Sequence, residues 1–152
     1  MRITSWRVTA AKHAATAFDG EGARRWGGRW NSRGRAAVYT SATTSLALLE
    51  TLVHADLGLL PFYVAIPVSF DGKLLTRVGV EDLPTFWQAL PIPGEAQALG
   101  DRWLESQASC VLEVPSVIVP HESNFLVNPA HPDLSSLEIG SAVALAIDPR
   151  LR

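Results

Sequence analysis

The chain has a single cysteine, Cys110, in 152 residues. That excludes an internal disulfide and a cysteine-built structural zinc site, and a reducing cytosol is the expected compartment. Long hydrophobic runs are also lacking. The longest apolar stretches are broken by charge or proline well short of a membrane span, and residues 1–17 hold no apolar signal core. Charged residues make up only 18% against 47% hydrophobic, with no low-complexity run, so disorder is not expected. No G-x-x-x-x-G-K-[ST] loop, no G-x-G-x-x-G fingerprint and no H-E-x-x-H occurs, which removes the commonest phosphate-loop, dinucleotide and zinc-hydrolase readings. His54, His121 and His131 lack ligand spacing and read as packing, capping or surface residues; no metal site is expected. The length is that of one domain, 1–152, with one core.

What is present is unevenly charged. The net charge of −2 hides an N-terminal segment, 1–35, with eight basic residues (Arg2, Arg7, Lys12, Arg24, Arg25, Arg29, Arg33, Arg35) against Asp19 and Glu21, a net +6. The remainder carries five basic and thirteen acidic residues, a net −8. A basic segment on an acidic body points to a local anion site, or to an ordinary solvated loop. The interleaving of Trp26, Gly27, Gly28, Trp30 and Asn31 with the arginines favours the site.

Hydrophobic periodicity predicts strands over 5–9, 36–40, 62–70, 109–114, 117–119 and 141–147, with a further one beginning at Leu74-Leu75. Pro67 inside 62–70 argues for an edge or a bulge there. A helix capped by Thr43 or Thr44 runs through Leu46, Leu49, Val53 and Leu57 to Gly58. Residues 82–106 read as helix in pieces, interrupted by Pro91 and Pro93; 19–34 and 128–135 read as loop. Many short strands with a few helices indicate α+β, with short-stranded mixed sheets and flanking helices.

Glu50 falls inside the apolar stripe marked by Leu46, Val53 and Leu57. A carboxylate on a core-facing surface is costly unless paired. It is therefore either one end of a structural salt bridge to an arginine or a carboxylate on a cleft floor. Arg29 stands between Gly27-Gly28 and Trp30-Asn31, where glycines permit close approach of a ligand and a guanidinium can fork onto a phosphate; either tryptophan is otherwise core. Arg7 lies in an apolar strand and points into the same cleft or to solvent. Tyr39 stacks on a flat ring or caps the core. Ser116 after Pro115 and Asn128 before Pro129 are turn residues or ligand contacts.

Taken in order, these residues resemble the RES family, named for recurrent arginine, glutamate and serine. The resemblance runs through Trp6-Arg7, Gly28-Arg29-Trp30-Asn31, Val38-Tyr39, Leu46-Ala47-Leu48-Leu49-Glu50, Gly100-Asp101-Arg102-Trp103-Leu104, Leu112-Glu113-Val114-Pro115-Ser116 and residues 124–133 from Asn124 to Asp133. It implies a fold similar to ADP-ribosyltransferase toxins, NAD⁺ as substrate with no further cofactor, and an Xre-type antitoxin as partner. Carried over by position, it implies Glu50, Arg29 and Tyr39 as the catalytic set, with Arg7, Arg29, Asn31, Tyr39, Ser116 and Asn128 around NAD⁺. Whether ADP-ribose passes to water, phosphate or a protein stays open. The competing class is an RNA-binding module built on 24–35, against which the pI near 6.1 weighs.

Overall fold

The computed structural model describes residues 1–54 and 62–151. Its frame is one mixed sheet in the order β4-β5-β6-β2-β1-β3-β7, with β8 also on β3. The strands are β1 (Arg2–Ala10), β2 (Val38–Ser41), β3 (Tyr63–Asp71), β4 (Leu75–Arg77), β5 (Val111–Pro115), β6 (Ser123–Val127), β7 (Glu138–Ile139) and β8 (Val143–Leu145). The helices are α1 (Glu21–Trp26), α2 (Thr44–Leu52) and α3 (Gly94–Ser106). This is the α+β architecture that the sequence pattern indicates, gathered into one sheet with two nine-residue strands, β1 and β3. Among the described residues no helix is long and apolar enough to cross a membrane.

Strands β1 and β3 pair antiparallel along their whole length, from Arg2 opposite Asp71 to Ala10 opposite Tyr63. Pro67 is not at an edge but lies beside a bulge: β7 pairs Val68 and Ser69 with Ile139 and Glu138, β8 pairs Ala65 with Val143, and this one-residue change of register sets both Ser141 and Ala142 opposite Ile66. The Pro67 carbonyl accepts from Gly140 on the side away from β1, and within a strand a residue's N–H and C=O point the same way. The missing N–H thus faces the gap between β7, which pairs Val68 and Ser69, and β8, which pairs Tyr63 to Ala65. The bond its ring forgoes is the return bond toward Gly140.

Side chains alternate between two faces. On one face Val38, Val68, Phe70, Val111, Phe125 and Val127 form a core with Cys110. On the other, α3 sets Ala96, Trp103 and Leu104 against Trp30, Trp87, Leu112, Val114 and Leu126, while Ala47 of α2 packs with Val8, Tyr63 and Ala65. The inward positions of α3, at 96, 100, 103 and 104, are the i, i+4, i+7, i+8 stripe of an amphipathic helix.

Three local departures have identifiable causes. Residues 117–119 are β-branched but form a turn, because Ser116 Oγ accepts from the Ile118 and Val119 N–H groups, each at 3.1 Å, and takes the donors a strand would use. The strand of this region is β6, which pairs β5 on one side and β2 on the other. Within 19–34 a helix, α1, is present: Asp19 Oδ1 accepts from Glu21 N, Glu21 and Arg24 pair at i,i+3, and Gly27 at φ +73° ends it. Only Gly94–Ser106 and a single 3₁₀ turn at Val80–Asp82 are helical within the proline-rich 80–106 stretch. The predicted end of the second helix, Leu57-Gly58, lies outside the described residues.

Candidate active site

Thr43 caps α2 by accepting from Leu46 N at 3.1 Å. From that start the helix buries Leu46 and Ala47, and Glu50 lies at 40° on the helical wheel, between them. The stripe is not the one drawn through Val53, which is 59% exposed at the C-cap beyond the last buried turn. The inward turn of Glu50 nevertheless follows from Leu46 alone, one turn before it.

Glu50 is half-buried and its carboxylate is held by neutral donors. Ser116 Oγ donates to Oε1 at 2.7 Å, and Asn124 Nδ2 donates to the same oxygen at 2.8 Å. Ser41 Oγ in turn donates to Asn124 Oδ1 at 2.7 Å. Among the described residues no hydrogen bond falls on Oε2 and no Lys, Arg or His nitrogen lies within ion-pair distance of Glu50. The salt-bridge reading therefore gives way to a carboxylate pinned at one oxygen. Its place in the last turn of a helix opposes the macrodipole, so the two hydrogen bonds offset a real cost.

Arg29 is the cation of this site. Its Nη1 donates to the carbonyls of Trp87 at 3.0 Å and Ala89 at 2.6 Å. Partial burial lowers its pKa, and the fields of Glu50 and Tyr39 oppose that shift. The loop carrying Arg29 is fastened by α3. Gln97 Nε2 donates to the Gly28 carbonyl at 3.0 Å, and Asp101 accepts from Ser32 N at 3.0 Å and Ser32 Oγ at 2.6 Å. Gly100 permits the contact, because a Cβ there would sit 1.7 Å from the Trp30 carbonyl oxygen. Trp30 itself is core, stacked on Trp87 with ring centroids 6.0 Å apart, whereas Trp26 is 74% exposed.

Tyr39 and Asn31 support this loop. The Tyr39 hydroxyl donates to Asn31 Oδ1 at 2.5 Å and accepts from Trp30 N at 3.1 Å; burial pushes its pKa upward. Asn31 Nδ2 donates to the Ala23, Ser32 and Arg35 carbonyls, so this buried amide is spent on backbone. The close approach that Gly28 permits is to Tyr39: a Cβ would lie 2.6 Å from its hydroxyl oxygen. Asn128 is equally internal, donating to the Leu104 carbonyl at 3.1 Å and accepting from Ala130 N at 3.0 Å. The structure thus gives Asn31 and Asn128 loop-holding bonds in place of the ligand-facing positions expected of them.

Arg7 is not brought into the cluster. Alternation along β1 sends Trp6 and Val8 toward α2, so Arg7 takes the opposite face. Asp19 is the acid whose field it feels, and burial lowers its pKa. Its Nη1 donates to the Tyr39 carbonyl at 3.1 Å, bridging β1 to β2 where their ladder has one register pair, Trp6 and Ser41. Its Nε is buried and has no partner among the described residues. The two arginines thus answer to different acids, Arg29 to Glu50 and Arg7 to Asp19. Of the eight basic residues of 1–35, three are engaged in ion pairs: Arg2 with Glu138, Arg24 with Glu21, and Arg35 with Glu105.

Sequence reading assigned no role to Ser41 or Asn124. The available signal was a polar residue at 124 on the same strand face as Leu126, directly before the apolar run Phe125-Leu126-Val127. A separate cavity of about 330 Å³ opens on the other face of β5–β6, walled by Arg77, Gly79, Glu113, Pro115 and Ser123. There Glu113 is matched internally, by Arg77 at 3.1 Å and Ser123 Oγ at 2.9 Å. Among the described residues no three His, Cys, Asp or Glu side chains converge as a metal site requires.

The RES domain profile matches residues 4–148. A protein of Yersinia enterocolitica named Toxin Res is 37% identical over 149 residues, covering 97% of this chain and 98% of its own. A Sphingobium protein named Prs ADP-ribosylating toxin is 38% identical, covering 99% and 98%. Among solved structures, a chain of the M. tuberculosis MbcT–MbcA toxin–antitoxin complex superposes with a TM-score of 0.77 at 19% identity, over 96% of this chain and 85% of that one. With most of its length matched by the domain profile and by full-length relatives, the chain belongs to the RES-domain family of toxins.

Proposed function

We propose that this protein is the toxin of a toxin–antitoxin pair and that it cleaves the bond between nicotinamide and ribose in NAD⁺. The carrying observation is the Glu50 carboxylate, pinned at Oε1 by Ser116 and Asn124 and within the field of Arg29. Breaking this bond sends its electron pair to nicotinamide, which leaves neutral, and places positive charge on the ribose. A fixed carboxylate stabilises that oxocarbenium-like charge. An acceptor oxygen then bonds to the ribose carbon and releases its proton. Arg29, through the guanidinium nitrogens not bound to Trp87 and Ala89, meets the pyrophosphate. Tyr39 and Asn31 hold the loop that presents Arg29.

The names of the relatives support the toxin assignment, and the Sphingobium protein's name supports ADP-ribose chemistry. The acceptor is water, phosphate or a protein. RNA binding is disfavoured by the acidic balance of the chain, with a pI near 6.1, and by the ion pairs that engage Arg24 and Arg35 within 24–35. The place of action is the cytosol. The partner is an Xre-type antitoxin that closes the site by presenting a carboxylate to Arg29, and truncating that antitoxin's terminus should restore NAD⁺ consumption.

Incubating the purified protein with NAD⁺ labelled in the adenylate moiety tests the reading. Released nicotinamide is the expected result. Free ADP-ribose, its phosphate or a labelled protein band identifies the acceptor, and intact NAD⁺ in the presence of all three overturns the assignment.

A further inference from the structure

The Glu50 carboxylate receives its hydrogen bonds from two different parts of the chain, and they arrive differently. Ser116 also accepts from two backbone N–H groups, so its orientation is set by its own turn. Among the described residues Asn124 has no such backbone anchor for its amide. Its orientation comes from Ser41, which lies directly opposite it in the β2–β6 register. Both side chains are buried, with 3% and 8% of their surface exposed.

The chemistry of the chain Ser41–Asn124–Glu50 permits one arrangement. A carboxylate only accepts, so the amide must turn Nδ2 toward Glu50. That leaves Oδ1 facing Ser41, whose hydroxyl donates to it at 2.7 Å. Reversing the amide would set two acceptor oxygens against each other. A buried serine thus fixes a buried amide, and the amide fixes one oxygen of a carboxylate on a neighbouring helix. The strand that supplies Ser41 leads within three residues into α2, which carries Glu50, so both ends of the chain hang on one short connection.

We infer that Asn124, oriented by Ser41, is a positioning residue that holds Glu50 by Oε1 and thereby leaves Oε2 to face the reacting ribose. The inference rests on the NAD⁺-cleaving reading for its consequence in catalysis, and on the hydrogen-bond geometry for the orientation itself. Asn124 does not touch substrate in this account; it acts through Glu50.

The test uses the intact protein and two readouts. In Asn124→Ala, kcat for NAD⁺ should fall about 10- to 100-fold, the usual range for removing a group that orients a reacting one, while KM changes less than about threefold. Ser41→Ala keeps the amide and removes only its orienting donor, so it keeps the test decisive even if Asn124→Ala fails to fold, and it should lose about 3- to 10-fold in kcat. Asn124→Asp sets a second carboxylate on Glu50. The pair would share one proton, with the protonated Asp donating as the amide did. Activity should then persist on the acid side and acquire a new decline as pH rises, a limb absent from the unmodified protein. A merely structural Asn124 would give no such limb. The second readout is a crystal structure of Asn124→Ala or Ser41→Ala, in which Glu50 should take more than one orientation. An unchanged kcat together with a single, unmoved Glu50 overturns the inference. Should the unmodified protein leave NAD⁺ intact, the proposed function falls, and the orientation of Glu50 in the variants still decides the positioning role.

Discussion

Ser116 Oγ lies 2.7 Å from Glu50 Oε1, joining two residues 66 positions apart in the chain. The same hydroxyl oxygen accepts from Ile118 N and Val119 N, so one atom closes a turn and anchors a carboxylate. In Glu50→Gln the amide oxygen can still accept from Ser116 and Asn124. The variant should therefore fold, with a melting temperature within a few degrees, and lose about 10²- to 10³-fold in kcat, as removing a preorganised charge does. Nicotinamide release measured beside thermal unfolding checks both halves. A large loss of stability with activity retained would return Glu50 to a structural role.

Ser116→Ala removes three hydrogen bonds at once. Two backbone N–H groups and a carboxylate oxygen lose a buried partner, at a cost of about 1–3 kcal/mol for the unsatisfied groups. Urea unfolding should show that loss, and kcat should fall in the same variant because Glu50 is freed on one side. A stable variant with full activity would contradict the double role.

Arg29→Lys keeps the charge but not the fork. A lysine ammonium cannot hold the Trp87 and Ala89 carbonyls and meet a pyrophosphate with fixed geometry. NAD⁺ affinity should weaken about tenfold or more, about 1.4 kcal/mol at least, and residues 84–90 should exchange amide hydrogen faster. Calorimetric titration and hydrogen exchange read the two effects separately.

Gly100→Ala probes the seat of the loop. The added Cβ would lie 1.7 Å from the Trp30 carbonyl oxygen, a backbone atom that cannot swing aside. The variant should lose at least about 3 kcal/mol, above the ordinary cost of overpacking, seen as a lower denaturant midpoint or loss of soluble protein. Near-wild-type stability would show that α3 can move off the loop.

Burial, with a smaller effect from Asp133, pushes the Cys110 thiol up to about 11. A free thiol ionises near about 8.5, so above that pH the unfolded chain sheds a proton that the folded chain retains. The contribution is fully present below about 8.5 and is lost as pH rises toward about 11. Comparing the stability of the unmodified protein with Cys110→Ala between pH 8 and 11 should show a steeper decline in the former. Cys110 should also resist alkylation at pH 8 until the protein is unfolded.

Local pattern alone determined much of this protein. Alternation placed strands near 5–9 and 62–70, Thr43 opened a helix, and Leu46 one turn earlier turned Glu50 inward. The family blocks follow one another along the chain from Trp6 to Asp133. All of these depend on neighbours a few residues away, and periodicities of two and 3.6 fix which face such neighbours share. What meets on that face depended on strand order and register. Asn124 and Ser41 stand 83 residues apart and become a pair because β2 lies beside β6 in that register. In the sequence Arg7 could face the same cleft as Arg29 or solvent; alternation in β1 sets it on the face opposite Trp6 and Val8, in the field of Asp19, while Arg29 stands in the field of Glu50 on a loop fastened by α3. Gly28 looked like room for a ligand, and the tertiary fold filled that room with the Tyr39 hydroxyl. A residue's face is encoded within one or two turns of chain; its partner on that face is chosen only when distant strands pair.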